Sequence, residues 1–475
     1  MPSEIELKLD VAPDLASAVL QWPLLRDLDG QTALLAATYF DTPDRLLLKN
    51  GISLRIRRSG QDHIQTVKVS RQRHGGLFMR DEWEKPVDSL SLRLDNDCPV
   101  TVVLGDAVSQ LVPVFKVDVD RHIWLVEWDD ALIEMVLDQG LVSAGRRQEP
   151  LCEVELELKR GDAAALFALA RRMDADMAVR PGMSSKSERG YHLTDALPTA
   201  IRAERVHLHG GMDSATAFLS IATNCMRHYR LNEALLLDAY VPEALHQARV
   251  AIRRLRTAIM LFRPLLREED VTSFQGELRW LAHIMADARD LDVLDVRTLT
   301  DADRVRLENA RIGVRHDLMQ WLQAARLRLL LIDLTEWLAD GGRMTAASTD
   351  DVVPFAMGRL KTLDKRVAKG GRGLAGLDDA QRHRLRRDAK KLRYAAEYFT
   401  GLFTRKKDRR RLKKLGSRLG RLQNALGALN DLVMAPEIMK RHGLCCQPEV
   451  GDKVALLKAA AQAHDGFVDV PRIWR

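Results

Sequence analysis

The chain opens on strict alternation. In Glu4-Ile5-Glu6-Leu7-Lys8-Leu9 charged and apolar side chains take turns, and a period of two marks a strand with two unlike faces. One face is apolar. The other sets two carboxylates and an ammonium in a row, about 6–7 Å apart at strand rise. The pattern returns at 54–58, with Arg55 and Arg57 on one face, at 63–69 with Thr66 and Lys68, and at 79–87 with Arg80, Glu82 and Glu84. Residues 151–159 mirror the opening with Glu153, Glu155 and Glu157. Two further strands are predicted at 115–121 and 122–127, and another at 131–138 that ends in a turn at Gln139-Gly140. Residues 12–28 read as a short helix broken near Pro23, Asp41-Thr42-Pro43-Asp44 as a turn, and Gly75-Gly76 as a hairpin or loop.

Strands at this spacing predict an antiparallel sheet or barrel. A small barrel ordinarily fills its centre with apolar side chains. Here strand after strand carries acids and bases on one face. If those faces converge, they enclose a wet bore in which carboxylates hold a divalent cation and Lys and Arg hold phosphate oxygens. If they diverge, the fold is a sandwich with its charges in water. Periodicity alone does not choose between them.

From about residue 200 the alternation stops and Leu, Ala and Arg dominate. Residues 198–211 read as a linker, and from Met212 apolar residues recur at three and four, the helical spacing. Few Pro or Gly intervene before Gly341-Gly342, and helices resume after Pro354. An internal repeat stands out. His246, Arg249, Arg253, Arg254 and Arg256 have the spacing of His383, Arg386, Lys390, Lys391 and Arg393. Downstream, Ala288-Arg289-Asp290 answers Leu429-Asn430-Asp431. A repeat of this span implies two similar helical bundles. Steps of three, seven and ten from each histidine fall on one helical stripe, so each copy lines up cations that repel one another unless acids or a bound polyanion face them.

Length and charge narrow the reading. A chain of 475 residues, 46% of them hydrophobic, has room for two cores; we divide it as 1–197, a linker 198–211, and 212–475. The net charge of +7 favours polyanionic partners. Residues 359–421 carry a net of about +17, more than the whole chain's, in its most basic run. Aromatic residues are sparse there, which argues against nucleic acid and for a linear anion without bases. The five cysteines, Cys98, Cys152, Cys225, Cys445 and Cys446, form no C-x-x-C pair, which fits a reducing compartment and argues against a thiolate metal site. No signal peptide opens the chain and no apolar run reaches the ~20 residues of a membrane span, so a cytoplasmic protein with no membrane partner is expected.

Residues 3–192 resemble a CYTH domain of the triphosphate tunnel metalloenzyme superfamily, of the inorganic triphosphatase type. The resemblance rests on Glu4-x-Glu6-x-Lys8, Tyr39-Phe40-Asp41-Thr42, Leu54-Arg55-Ile56-Arg57, Lys68, Arg80 with Glu82, Arg121 with Trp124, Asp138 with Gly140, 153–157 and 186–191. It implies an α+β domain, an eight-stranded antiparallel β tunnel with outer helices, that uses Mg²⁺ or Mn²⁺ on triphosphates. Carried over residue by residue, it implies metal coordination by Glu4, Glu6, Asp138, Glu153 and Glu155. It implies phosphate binding by Lys8, Arg55, Arg57, Lys68, Arg80, Arg121 and Lys186, and catalytic parts for Glu4, Glu6, Lys8 and Lys68. Residues 205–460 resemble a CHAD domain, on the two histidine-centred motifs. That resemblance implies an all-α domain of two pseudo-symmetric bundles binding long-chain polyphosphate through His246, Arg249, Arg253, Arg256, His383, Arg386, Lys390, Lys391 and Arg393. One departure is that Ala286 stands where the second copy has Gly427. The expectation is a metal-dependent triphosphatase splitting tripolyphosphate to pyrophosphate and phosphate, cytoplasmic and associated with polyphosphate granules. The alternatives are a nucleotide-acting tunnel enzyme, either a class IV type adenylate cyclase or a thiamine triphosphatase, and a non-catalytic polyphosphate-binding protein.

Overall fold

In the computed structural model the chain forms two compact units, Met1–Pro198 with Ala324–Asp340, and Thr199–Gln323 with Gly341–Arg475. The structure describes residues 4–74, 77–195, 198–294, 299–342, 344–444 and 453–474, with the backbone alone at 4, 70–74, 77–80, 346 and 347. The Gly75-Gly76 hairpin and Cys445-Cys446 lie outside the described residues.

The strands of the first unit are β1 (Glu4–Val11), β2 (Gln31–Asp41), β3 (Ile52–Ser59), β4 (Asp62–His74), β5 (Leu77–Val87), β6 (Val112–Trp128), β7 (Ala131–Ala144), β8 (Arg147–Arg160) and β9 (Val179–Pro181). They pair antiparallel in the order β5-β4-β3-β2-β6-β7-β8-β1-β9, and a further β1–β5 pairing closes the ring. One edge of β1 is shared: residues 4–7 pair with β5 and residues 9–11 with β9. Eight strands therefore make the tunnel, and a short ninth, absent from the sequence reading, completes the edge.

Two local expectations are corrected. Residues 112–128 are one long strand rather than two. No turn falls at Gln139-Gly140, because β7 runs on to Ala144. Gly140 sits in mid-strand where a Cβ would lie 2.0 Å from the Asp118 carbonyl oxygen; it permits close approach of β6, a strand-interior use of glycine.

Alternation sorts the side chains. Leu7, Leu9, Ile133, Met135, Leu137, Val154 and Leu156 point outward and are buried under Leu166, Phe167, Leu169 and Met173 of the helix Ala164–Asp176. The apolar core is thus a shell around the tunnel, not a plug within it. Asp41 ends β2 and accepts hydrogen bonds from the backbone N–H of Thr42, Leu47 and Leu48 and from the Tyr191 hydroxyl, which ties the helix Leu46–Lys49 to the helix Lys186–Thr194. The latter starts on a capping box of Ser185 and Glu188. It rides against β6 at Gly190, where a Cβ would be 2.1 Å from the Phe115 ring. Ala325–Ala339, late in the chain, belongs to this unit: Ile332 is fully buried in its core, Arg171 Nη2 lies 2.6 Å from Asp333 Oδ1, and Arg328 Nε lies 2.5 Å from Asp174 Oδ1.

The second unit is helical throughout. Ser214–Asp238, Pro242–Phe262, Glu268–Ile284 with Ala286–Asp292, and Asp301–Gln323 are followed by Val352–Gly370, Asp379–Phe399, Lys406–Arg441 and Lys453–Val468. The halves meet at phenylalanines: the Phe262 ring lies 5.4 Å from Phe218, 4.9 Å from Phe355 and 6.1 Å from Phe399. Phe218 and Phe355, like Phe262 and Phe399, are equivalent positions of the repeat. The sequence departure at Ala286 coincides with a helix break at Met285, where the second copy runs unbroken through Gly427.

Candidate functional site

The register of β1, β8 and β7 builds one wall of the tunnel in rows. Asp10 and Asp138 flank Glu153, Lys8 and Val136 flank Glu155, and Glu6 and Glu134 flank Glu157. Carboxylate oxygens of Asp138, Glu153 and Glu155 all lie within 4.8 Å of one another. Such crowding of buried like charge requires cations between. Lys186 supplies one, its Nζ 2.6 Å from Asp138 Oδ2 and 2.8 Å from Glu155 Oε1, with Glu153 also in contact. Lys8 supplies another, 2.5 Å from Glu6 Oε1 and in contact with Glu155. Arg121 Nε bonds Asp138 Oδ1 at 2.7 Å and its Nη2 reaches Glu155 Oε2 at 3.2 Å.

The electrostatics follow from this packing. Burial works against the charge on Lys186, but Asp138, Glu153 and Glu155 outweigh it and hold the ammonium well above its ordinary range. Lys8 is raised in the same way, by Glu155, Glu6 and Glu153 against burial. Burial would lift the carboxyls of Glu155 and Asp138; for Glu155 Lys186, Lys8 and Arg121 prevail, and for Asp138 Lys186 and Arg121, so both stay below the usual carboxylate range.

The facing wall is basic. β3 presents Arg55 and Arg57, β4 presents Thr66 and Lys68, and β5 presents Glu82 and Glu84. Lys68 Nζ lies 2.8 Å from Glu82 Oε2, and Arg57 Nη2 lies 3.4 Å from Glu84 Oε1. Arg55 bonds the Tyr39 hydroxyl at 3.4 Å and keeps a buried Nε without a hydrogen-bond partner. Burial, then the charge of Arg55, lowers Arg57. The two walls share one cavity of about 280 Å³, lined by Glu6, Lys8, Arg55, Arg57, Lys68, Arg121, Glu155 and Lys186 among others.

The tunnel therefore brings together Glu6, Lys8, Arg55, Arg57, Lys68, Arg121, Asp138, Glu153, Glu155 and Lys186. The backbones of Glu4 and Arg80 are register partners across β1 and β5, but their side chains lie outside the described ones. Sequence reasoning missed Arg189, which bonds Asp10 Oδ1 at 2.7 Å and Glu149 Oε1 at 3.1 Å and lies 4.0 Å from Glu153 Oε2. It missed Glu134 as well, although the two-residue step back from Asp138 through Val136 marks it.

In the second unit the two histidine-bearing stripes lie on Pro242–Phe262 and Asp379–Phe399 and act on each other. Lys390 is pulled down to about 7 by burial and by Arg253, Arg386, Arg393 and Arg249. Burial lowers Arg249 to about 10, with Arg253 and Arg289 adding to it against Asp290. Buried N–H groups of Arg249, Arg253 and Arg386 have no hydrogen-bond partner, while Arg393 Nε lies 3.3 Å from Glu397 Oε1. His383 is exposed and its Nδ1 lies 3.2 Å from Asn430 Oδ1; burial, then Arg289, lowers His246. Among the described residues the acidic triad of the tunnel is the one cluster of three or more close His, Cys, Asp or Glu ligand atoms, and neither histidine belongs to it. Arg256 bonds Gln275 at 3.4 Å, and Lys391 lies 3.5 Å from Asp388.

A closed antiparallel tunnel with opposed acidic and basic walls is thus followed by a helical unit with paired basic stripes. The CYTH domain matches residues 2–191 and the CHAD domain matches residues 220–440, so the chain carries a CYTH domain followed by a CHAD domain. It is 32% identical over 201 residues to a protein of Haemophilus influenzae called inorganic triphosphatase, covering 41% of this chain and 55% of that protein. The chain thus spans about half the length of that relative. An uncharacterised protein of Mycobacterium tuberculosis is 26% identical over 436 residues, 83% of this chain and 82% of its own. The solved CHAD domain of the plant Ricinus communis is 27% identical, covers 58% of this chain and 93% of its own, and has a TM-score of 0.46. Among the described residues no helix is long and apolar enough to cross a membrane.

Proposed function

We propose that the first unit is a metal-dependent triphosphatase that splits inorganic tripolyphosphate to pyrophosphate and phosphate, and that the second binds long-chain polyphosphate. The observation that carries the reading is the meeting of acidic and basic walls in one cavity. Apart from Tyr39 and Val136, every residue lining that cavity is polar or charged, which favours an inorganic chain over a substrate with a base. Asp138, Glu153 and Glu155, with Glu6 beside them, offer the hard oxygen donors that Mg²⁺ or Mn²⁺ takes. Bound there, such an ion would supply Lewis-acid neutralisation of phosphate oxygens.

The chain's own residues do the rest. Arg55, Arg57 and Lys68 bind and orient the phosphates from the facing wall, and Arg121, Lys8 and Lys186 offset charge developing on the bridging oxygen. Glu6, on the acidic wall and ion-paired with Lys8, takes a proton from the attacking water. The water oxygen bonds to the terminal phosphorus, the bridging P–O bond breaks, and pyrophosphate leaves. In the helical unit, Arg249, Arg253 and Arg386, each with a buried N–H that lacks a hydrogen-bond partner, take phosphate oxygens together with Arg393, with His246, Arg256, His383, Lys390 and Lys391 along the same path. A cytoplasmic site at polyphosphate granules fits this pairing. The test is phosphate release from tripolyphosphate, ATP and thiamine triphosphate with Mg²⁺ and Mn²⁺ in turn. Turnover of tripolyphosphate is expected to lead; cyclic AMP from ATP, or no turnover of any, would overturn the reading.

A further inference from the structure

The helical unit holds a cavity whose shape the polyphosphate reading does not explain. It lies between Pro242–Phe262, Glu268–Ile284 and Asp379–Phe399 and measures about 510 Å³. Every charged residue in its lining is a cation. Burial, then the neighbouring Arg279, lowers Arg256, and Arg253 Nε is buried without a hydrogen-bond partner. Between the cations lie Met260, the buried Val271 and Gly276. Gly276 is inside a helix, where glycine costs ~1 kcal/mol relative to alanine. A Cβ there would meet nothing within 4 Å, so its lack of a side chain relieves no clash and instead leaves room.

A linear polyphosphate can use the cations but has no use for an apolar floor. A nucleotide uses both: phosphates need Arg or Lys, and a base needs an apolar or guanidinium plane to lie against. We infer that this cavity is a nucleotide-binding site, with the phosphates held by Arg253, Lys390 and Lys391 and the base seated on Met260, Val271 and the open surface over Gly276, beside Arg279. The site shares Arg253, Lys390 and Lys391 with the basic stripes, but its apolar floor is separate, so the inference does not depend on polyphosphate binding there.

Gly276→Leu tests this because it fills the floor and keeps every cation. ATP is titrated calorimetrically into the full chain, without divalent metal, for wild type and variant. The expected result is at least a tenfold loss of ATP affinity at one of the sites, with long-chain polyphosphate binding within twofold and tripolyphosphate hydrolysis unchanged. Identical ATP isotherms, or equal losses for ATP and inorganic tripolyphosphate, would overturn the inference. Met260→Gln is the second variant should Gly276→Leu fail to fold; it is expected to weaken ATP and to spare tripolyphosphate, and an unaltered ATP isotherm would count against the site.

Discussion

Glu155 touches Lys8, Lys186 and Arg121 at once. Glu155→Gln should lower triphosphate turnover by about a hundredfold or more, the scale of losing a preorganised charged contact. The fold should survive, since Lys8 and Lys186 keep Glu6, Glu153 and Asp138. Polyphosphate binding by the helical unit should not change. Phosphate release alongside a thermal scan checks this, and near-normal turnover would remove Glu155 from the site. Tyr191 is a contrasting case. Its hydroxyl bonds the buried Asp41 at 2.6 Å, far from any phosphate role. Tyr191→Phe should cost about 2 kcal/mol, the value of a hydrogen bond to a charged group, read as an earlier denaturant midpoint with little change in activity per folded molecule. The alternation of Glu4-x-Glu6-x-Lys8 was enough to put these side chains on one face. It could not tell which face is inside, nor that Arg189, on a helix, turns back to the same acids, because helical phase and strand phase are set independently.

The helices of the second unit show what an element adds to its residues. Each histidine-bearing stripe is legible as a 3-7-10 spacing, yet only packing brings Arg249 and Arg253 to Lys390 across the two helices. The repeat announces two like bundles; the meeting of Phe218, Phe262, Phe355 and Phe399 could not be read from spacing, since buried and exposed phenylalanines look alike in sequence. The departure at Ala286 marked where the two copies differ, but not that the first breaks its helix at Met285. Lys390 gives the pH prediction. Free, its ammonium is half lost near pH 7; a polyanion favours the charged form, so binding takes up a proton. Polyphosphate affinity should therefore fall as pH rises from 7 to 9, by up to about tenfold per unit if one proton is linked, and Lys390→Arg should flatten that slope. A binding curve equal at pH 7 and pH 9 would exclude Lys390 from the contact. Reversing charge at Arg386, Lys390 and Arg393 together should weaken binding and reduce its salt dependence.

At the scale of the whole chain, sequence order and compactness disagree at one place. The β content of the first part and the helical content of the second were plain from periodicity. Ala325–Ala339 sits among helices in sequence but belongs with the tunnel; its leucine-rich face reads like those of the helices around it and does not advertise which core it enters. A fragment of residues 1–198 should accordingly be less stable than the tunnel in the full chain. Losing Ile332 burial alone accounts for about 2–3 kcal/mol, which corresponds to roughly 5–10 °C in Tm for a unit of this size. Adding the peptide 324–340 should recover part of it. An unchanged Tm without the helix would show that its packing contributes nothing.

Lys186 already sits where a divalent ion would go. A divalent ion held by Asp138, Glu153 and Glu155 would compete with that ammonium for the same oxygens. Left to itself the acidic wall is an internally neutralised salt lattice, in which every carboxylate of the triad already answers to an ammonium or a guanidinium.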